Sequence, residues 1–343
     1  MTDVPRRATY SPDLLELVRR AYGFADLDDP VDLGGGYSLN LRVRADDRLL
    51  VVRVHRPWVQ AGRLNALHFV RDFLSHRGFP FAPLLPTRDS CRWTRYGDRL
   101  VEVEEFVWSQ AEMDTWHRLR LGMPTLASLH DHLRTMPVPP PARTALVANH
   151  VEASRVVEAT ATGVRAIRSW DPTTRESYFA DVAACLASAL SAVEQQFPAR
   201  PRQLVHGDFW GNNVHFTGDR VVLITDLDFM GERPRIDDLA VTLFYANEHF
   251  GRERWREWLP RLAELVDLYD SASTAPLSST ERAALPYAIL RAPLCFIEHM
   301  AFLGPAARTE LVELRGPECE WALPVLTSPD WQEAFARPTR QST

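Results

Sequence analysis

The pattern of apolar positions changes about one third of the way along the chain. Leu39, Leu41 and Val43 alternate with polar residues, and an apolar, β-branched run follows over residues 49–54. Alternation with a period of two is typical of a half-buried strand, and a short apolar run is typical of a buried one. We therefore predict a small antiparallel sheet in the first third of the chain.

Helical periodicity dominates the remainder. The predicted helices lie before about Tyr22, with Ser11 as the N-cap, and over about residues 58–76 and 178–197, and amphipathic helices resume from Asp237. Two further strands are predicted at residues 90–93 and 99–107, and a strand-loop-strand unit, LVHGDFWGNNVHFTGDRVVLITDLD, interrupts the helices. These elements predict an α+β, bilobal, protein-kinase-like fold with a small antiparallel-sheet N-lobe and a larger, mainly helical C-lobe. The expected division is into two lobes, 1–107 and 108–343.

Composition narrows the function classes. The chain has no lysine, so all 39 basic residues are arginine, and the net charge of −6 argues against nucleic acid as a partner. Residues 1–107 carry 16 arginines and 15 acids, whereas the remainder carries 23 arginines and 30 acids, which mildly favours a cationic substrate. No apolar run approaches the ~18 residues that span a bilayer. We expect a cytoplasmic protein without a membrane partner, and the sequence does not define its oligomeric state.

Three oxygen-bearing side chains in the strand-loop-strand unit carry the candidate chemistry. Asp208 lies five residues before Asn213 in the loop, and Asp226 ends the second strand. Asp208 is placed to accept the proton of an acceptor hydroxyl, and Asn213 and Asp226 offer oxygen ligands suited to Mg²⁺. The same stretch also permits a second interpretation, a two-metal hydrolase. Its candidate metal ligands would be His206, Asp208, His215, Asp226 and Asp228.

The segments HGDFWGNNV, ITDLD and RPRIDDLA resemble the signatures of the aminoglycoside phosphotransferase and choline kinase superfamily. Within it the chain is most similar to type II homoserine kinases and RdoA-like kinases. The resemblance implies that Asp208 is the catalytic base or orients the acceptor, that Asn213 and Asp226 hold magnesium, and that Asp238 braces the loop. It also implies that the His206 side chain is mostly structural.

The resemblance further implies that 1–107 is a nucleotide-binding lobe and that 108–343 is a catalytic and substrate-binding lobe. Gly34, Gly35, Gly36 and Ser38 resemble the loop that covers the phosphates of ATP in kinases. A glycine triplet between two strands is weak evidence by itself, because hairpins use glycine for conformational reasons. Its position before the apolar run at 49–54 is what favours the kinase interpretation.

Arg53 takes the place of the lysine that contacts the α and β phosphates in kinases, a chemically tolerable replacement. The following helix should supply a glutamate partner, yet residues 58–71 contain no acid and Asp72 is the first. Either the partner of Arg53 comes from elsewhere or Arg53 has none. Residues around Glu105 and Val107 resemble the hinge whose backbone meets adenine.

Three functions follow. The first is an ATP- and Mg²⁺-dependent kinase that phosphorylates a hydroxyl of a small molecule such as an amino alcohol, an amino acid or an aminoglycoside-like antibiotic. The second is a kinase that acts on Ser or Thr of a peptide or protein. The third is a nucleotide-binding pseudokinase that serves as a partner module, an option that the missing helix glutamate keeps open.

Overall fold

The structure is a computed structural model, and it describes residues 7–145 and 148–336. The chain divides into two compact units. The first comprises Met1–Gln110 with His215–Thr225, and the second comprises Ala111–Val214 with Asp226–Thr343. The predicted lobe boundary at residue 107 stays a prediction.

The first unit contains a five-stranded sheet. Its elements are α1 (Pro12–Tyr22), β1 (Leu27–Asp32), β2 (Leu39–Ala45), β3 (Arg48–Val54), α2 (Ala61–Ser75), β4 (Thr94–Tyr96) and β5 (Arg99–Glu105). The strand order is β1-β2-β3-β5-β4, and every neighbouring pair is antiparallel. The small antiparallel sheet predicted from the alternating residues is therefore present.

Burial follows the period-two pattern. Leu39, Leu41 and Val43 on β2 are buried, as are Val52 and Val54 on β3. They share one cluster with the apolar side of α1. The Ser11 hydroxyl accepts a hydrogen bond from Leu14 N at 3.3 Å, so the predicted N-cap of α1 is confirmed.

The second unit is mainly helical. In chain order its elements are β6 (Ala111–Met113), α3 (Trp116–Thr135), α4 (Val156–Arg168), α5 (Thr174–Glu194), β7 (Arg202–Val205), the start of β8 (Gly211–Thr217), β10 (Gly231–Pro234), α6 (Arg235–His249), α7 (Trp255–Ala272), α8 (Ser279–Leu290), α9 (Pro305–Val325) and α10 (Pro329–Glu333). The strand β9 (Arg220–Ile224) follows β8 after a turn at residues 218–219. β7 pairs with β10, and β6, β8 and β9 form a three-stranded sheet in that order.

Several predicted boundaries were wrong. Residues 90–93 do not form a strand: Ser90 has a left-handed φ of 62°, and the strand begins at Thr94. The helix predicted from residue 58 begins at Ala61, because a turn at Arg56–Val59 precedes its N-cap Gln60. The helix predicted over 178–197 is α5, which begins four residues earlier behind a Thr173 and Glu176 capping box.

Within the part of the chain that the structure describes, no helix combines the length and the apolar character needed to traverse a membrane.

Candidate active site

The loop after β7 carries Asp208, and its backbone is held in an unusual conformation. Val205, the last residue of β7, pairs with Gly231 of β10, so the loop starts from a fixed strand end. Gly207 then adopts a φ of +87°, and a Cβ there would lie 2.3 Å from the Phe229 carbonyl oxygen. Any other residue at position 207 would be strained and would collide with backbone. The sequence therefore needs glycine immediately before Asp208.

Asp238, at the start of α6, braces this loop. Its two carboxylate oxygens accept hydrogen bonds from His206 N at 2.9 Å and from Gly207 N at 2.7 Å. The side chain is completely buried, which by itself raises its pKa. The hydrogen bond with His130 and the charges of the groups around it have the larger opposite effect, so the pKa of Asp238 lies below its usual value. His130 lies 3.0 Å from Asp238 and 2.7 Å from the Tyr269 hydroxyl. His130 is thus part of the support for the loop.

Asp208 itself is held by amide side chains. Asn213 Nδ2 donates to Asp208 Oδ2 at 2.7 Å and to the Asp208 carbonyl at 2.9 Å. The Asn149 side chain also hydrogen bonds to the Asp208 carboxylate. Burial, followed by the charge of Asp226, raises the pKa of Asp208 to about 7. A carboxylate with that pKa titrates close to neutral pH, as expected of a general base.

Asp226 lies at the start of a 3₁₀ turn in the same unit. Its φ of 58° and ψ of 72° are left-handed, and its carboxylate accepts a hydrogen bond from Asp228 N at 3.3 Å. The effect on the pKa of Asp208 means that the two carboxylates are close enough to repel each other. The Asn213 amide nitrogen is used by Asp208, so its oxygen is the atom that a cation would bind. Hard amide and carboxylate oxygens of this kind fit Mg²⁺.

The two-metal interpretation required several His and Asp side chains to converge. Among residues 7–145 and 148–336, no group of three or more His, Cys, Asp or Glu side chains is arranged to hold a metal ion. His206 is fully buried, and its Nδ1 accepts a hydrogen bond from Asp208 N at 3.2 Å. The convergence that the two-metal interpretation requires is therefore not found among the described residues.

In the first unit, the glycine loop connects β1 to β2 and is tied down at several points. Gly34 N donates to Asp32 Oδ1 at 2.8 Å, and Asn40 Nδ2 donates to the Gly34 carbonyl at 3.1 Å. Gly35 has a φ of +109°, and a Cβ there would lie 2.9 Å from the Asn40 amide. The Ser38 hydroxyl is buried without a hydrogen-bond partner among the described residues. A buried, unsatisfied hydroxyl beside a glycine loop fits a ligand contact.

Arg53 lies directly opposite Glu102 in the pairing of β3 with β5, so both side chains project from the same face of the sheet. Glu102 is buried, and its carboxylate lies 2.6 Å from His68 Nε2 on α2 and 3.3 Å from His55 Nε2. These histidines hold the pKa of Glu102 well below its usual value despite its burial. The first acid found near Arg53 is therefore on the strand β5, whereas α2 contributes a histidine to the same cluster.

The segment predicted as a hinge follows β5. Glu105 N donates to the Pro83 carbonyl at 2.9 Å, and Phe106 N donates to the Leu49 carbonyl at 3.1 Å. The backbone amides of Glu105 and Phe106 thus donate to carbonyls of the protein itself. The backbone amide of Val107 is the next candidate for a contact with adenine.

Sequence reasoning missed Asn149, Glu102 and the two histidines. Asn149 lies in a loop without a motif, and nothing in the sequence connects it to Asp208. Glu102 was visible as an acid at an inward-facing strand position, between Leu100 and Glu104 on the same side of β5. Only the fold shows that His55 and His68 meet it.

A kinase-like α+β fold and an HGD loop braced by a buried aspartate define a phosphotransferase. A model of the phosphotransferase enzyme family (APH) matches residues 31–277, and the chain belongs to that family. The fold and the family that the sequence signatures indicated are thus confirmed. No curated protein matches the chain.

Solved structures of similar fold cover nearly the whole chain. A microcompartment-associated aminopropanol kinase is 17% identical with a TM-score of 0.70, covering 95% of this chain and 99% of its own. An amicoumacin kinase solved in complex with AMP-PNP and Ca²⁺ is 14% identical with a TM-score of 0.68, covering 91% of this chain and 94% of its own. An aminoglycoside phosphotransferase from Alicyclobacillus acidocaldarius is 18% identical with a TM-score of 0.59, covering 93% and 96%. At these identities the likeness concerns the fold.

Proposed function

We propose that the protein transfers the γ-phosphate of ATP to a hydroxyl group of a small molecule, with Mg²⁺ as the cofactor. The observation that carries the proposal is the environment of Asp208. Two asparagine amides hold its carboxylate, Asp238 holds its loop, and burial together with the charge of Asp226 raises its pKa to about 7. The family membership and the small-molecule kinases of similar fold support the same reaction class.

Asp208 orients the acceptor hydroxyl and accepts its proton as the oxygen attacks the γ phosphorus. Asn213 fixes the orientation of this carboxylate by donating to Oδ2. Near neutral pH a substantial fraction of Asp208 is ionised even without a cation, and a neighbouring cation lowers its pKa further.

Asn213 and Asp226 would hold Mg²⁺ through their oxygens. The ion offsets the charge that develops on the phosphate oxygens during transfer. The left-handed backbone at Asp226 and its hydrogen bond from Asp228 N fix the position of the carboxylate before any ligand binds.

Residues of the first unit would contact the nucleotide. Backbone amides of Gly34, Gly35 and Gly36 and the Ser38 hydroxyl suit phosphate oxygens, and Arg53 suits the α and β phosphates. Glu102, opposite Arg53, is the candidate for the carboxylate that positions it. An acid at this position supports an active kinase over a pseudokinase. Near Glu105, the Val107 amide is the proposed adenine contact.

An ATP-consumption screen tests this function. The purified protein is incubated with ATP and Mg²⁺ against amino alcohols, amino acids, aminoglycosides and Ser-containing peptides, and products are detected by mass spectrometry as a gain of one phosphate. We expect transfer to at least one small hydroxyl compound and none by Asp208→Ala. Transfer confined to peptides would support the Ser/Thr kinase instead, and equal transfer by Asp208→Ala would remove the proposed role of Asp208.

A further inference from the structure

A cavity of about 250 Å³ lies in the second unit, close to the catalytic loop. It is bounded by residues 143–145 and 148–155, by β10 and by the segment around Phe296. Its charged lining has one more arginine than glutamate. The charged residues are Arg143, Arg155, Arg202, Arg233, Glu152, Glu232 and Glu298.

Each of the three glutamates is paired with an arginine at the rim. Arg202 holds Glu152 through two contacts of 2.7 and 3.0 Å. Arg155 lies 3.2 Å from Glu298. The third pair, Arg143 and Glu232, is 3.8 Å apart. The rim charges therefore cancel.

The fourth arginine, Arg233, is different. It is only 3% exposed, and no carboxylate of the described residues 7–145 and 148–336 lies within 4.0 Å of its guanidinium. Its donors reach His150 Nδ1 and the Phe229 carbonyl, both at 2.5 Å and both uncharged acceptors. Burial lowers the pKa of Arg233 although the charges of Asp238, Asp237 and Glu152 act to raise it, so these more distant carboxylates compensate the cation only in part.

The nearby carboxylates are already used. Asp237 and Glu194 both pair with Arg291, and Glu194 also pairs with Arg200. The oxygens of the nearby Asp238 are taken by the catalytic-loop amides and by His130. The buried positive charge of Arg233 thus has no direct counter-ion within these contacts.

We propose that this cavity is a binding site for a small oxyanion, a carboxylate or phosphate group, which the Arg233 guanidinium holds at the cavity floor. An anion there would supply the counter-ion that the fold does not, and an arginine fork binds such groups through paired hydrogen bonds. His150 is compatible with this role. Its Nδ1 accepts from Arg233, and burial lowers its pKa to about 4, so it is neutral at physiological pH.

The site is coupled to the catalytic loop by two short connections. The Phe229 carbonyl that accepts from Arg233 lies against Gly207, next to Asp208. His150 follows Asn149, whose side chain hydrogen bonds to Asp208. The oxyanion is therefore either a group of the phosphate acceptor itself or a free anion that acts on the loop. That the oxyanion is part of the acceptor rests on the proposed function, whereas oxyanion binding in the cavity does not.

Binding is tested by isothermal titration of the full chain with sodium phosphate, sulfate and acetate, against sodium chloride at equal ionic strength. We expect saturable binding of at least one oxyanion to the wild type and a loss of affinity of at least about tenfold in Arg233→Met. Arg233→Lys keeps a charge and donors for His150 and Phe229, and should bind with intermediate affinity even if the methionine variant folds poorly. Arg168→Gln removes an exposed arginine of α4 outside the cavity and should bind like the wild type.

Equal oxyanion affinity in the wild type and both Arg233 variants would overturn the proposal, as would binding no stronger than that of chloride. The two sources differ kinetically once an acceptor is known. If the oxyanion belongs to the acceptor, phosphate competes with the acceptor, and Arg233→Lys raises KM for hydroxy acids but not for neutral amino alcohols. If it is a free anion, phosphate changes kcat for every acceptor. Failure of transfer with intact anion binding would count against the proposed function and leave the oxyanion site standing.

Discussion

Replacing Asp208 by asparagine should abolish phosphate transfer and stabilise the ligand-free protein. The folded-state pKa of Asp208 is about 7, against an ordinary value of 3.8. Each unit of pKa shift corresponds to about 1.4 kcal/mol, so the ionised carboxylate costs the folded state about 4 kcal/mol at pH 7. An amide accepts less strongly from Asn213 and Asn149 than a carboxylate does, so we expect a net gain of about 2 to 3 kcal/mol in the free energy of unfolding.

The pH dependence of the free energy of unfolding tests whether the ionised Asp208 carboxylate is the cause of this difference. Because the folded pKa lies above the unfolded one, the wild type has its full stability below about pH 4 and loses it as pH rises toward 7. At pH 5 the cost is only about 2 kcal/mol, since only the titration between the ordinary pKa and pH 5 contributes. The stability difference between Asp208→Asn and the wild type should therefore narrow by about 2 kcal/mol from pH 7 to pH 5.

Urea denaturation followed by tryptophan fluorescence, without nucleotide or Mg²⁺, measures this difference at both pH values. Asp181→Asn is the control, because Asp181 is exposed on α5 and pairs with Arg168 at the surface. Its effect should stay within about 0.5 kcal/mol and should not follow the same pH trend. The reasoning is refuted if Asp208→Asn is no more stable than the wild type at pH 7, or if its advantage grows toward pH 5.

Three further substitutions test the supports of the site. Gly207→Ala should lower the free energy of unfolding by about 3 kcal/mol or more, as measured by thermal unfolding. Gly218 is also left-handed but has open space around it, so Gly218→Ala should cost only about 1 kcal/mol. Similar costs for the two variants would contradict the clash with the Phe229 carbonyl. Asp238→Asn should lower the free energy of unfolding by about 3 kcal/mol in urea denaturation and should lower phosphate transfer, because the loop amides lose a buried carboxylate that accepts from them. Unchanged stability would contradict the role of Asp238 in holding the loop. Glu102→Gln should destabilise the protein at pH 7. The gap should begin to narrow as pH falls below about 4.5 and should close only near the folded pKa, which lies well below that value. A gap that does not narrow between pH 7 and pH 4 would contradict the histidine contacts.

The fold was predictable where local patterns decide structure. The alternation of apolar and polar residues on β2 and the apolar run of β3 predicted the sheet, and Ser11 predicted the start of α1. Boundaries failed where a single backbone conformation decides them, as at Ser90, or where a capping signal was overlooked, as at Thr173.

The candidate site was predictable where a motif keeps its residues close in sequence. Asp208 and Asn213 are five residues apart, and their hydrogen bond follows from the loop. Asn149 and Glu102 were missed because their partners are distant in sequence. The search for an acid considered only α2, whereas the structure has a buried carboxylate on β5, opposite Arg53, that contacts a histidine of α2.

The account depends most on one magnesium-nucleotide centre formed with Asp226. Isothermal titration of ATP, with and without Mg²⁺, into the wild type and into Asp226→Asn tests it directly. We expect Mg²⁺ to raise the ATP affinity of the wild type at least about tenfold, and Asp226→Asn to lose most of that gain while keeping its magnesium-free affinity. A variant that retains the full magnesium dependence of the wild type would contradict the account.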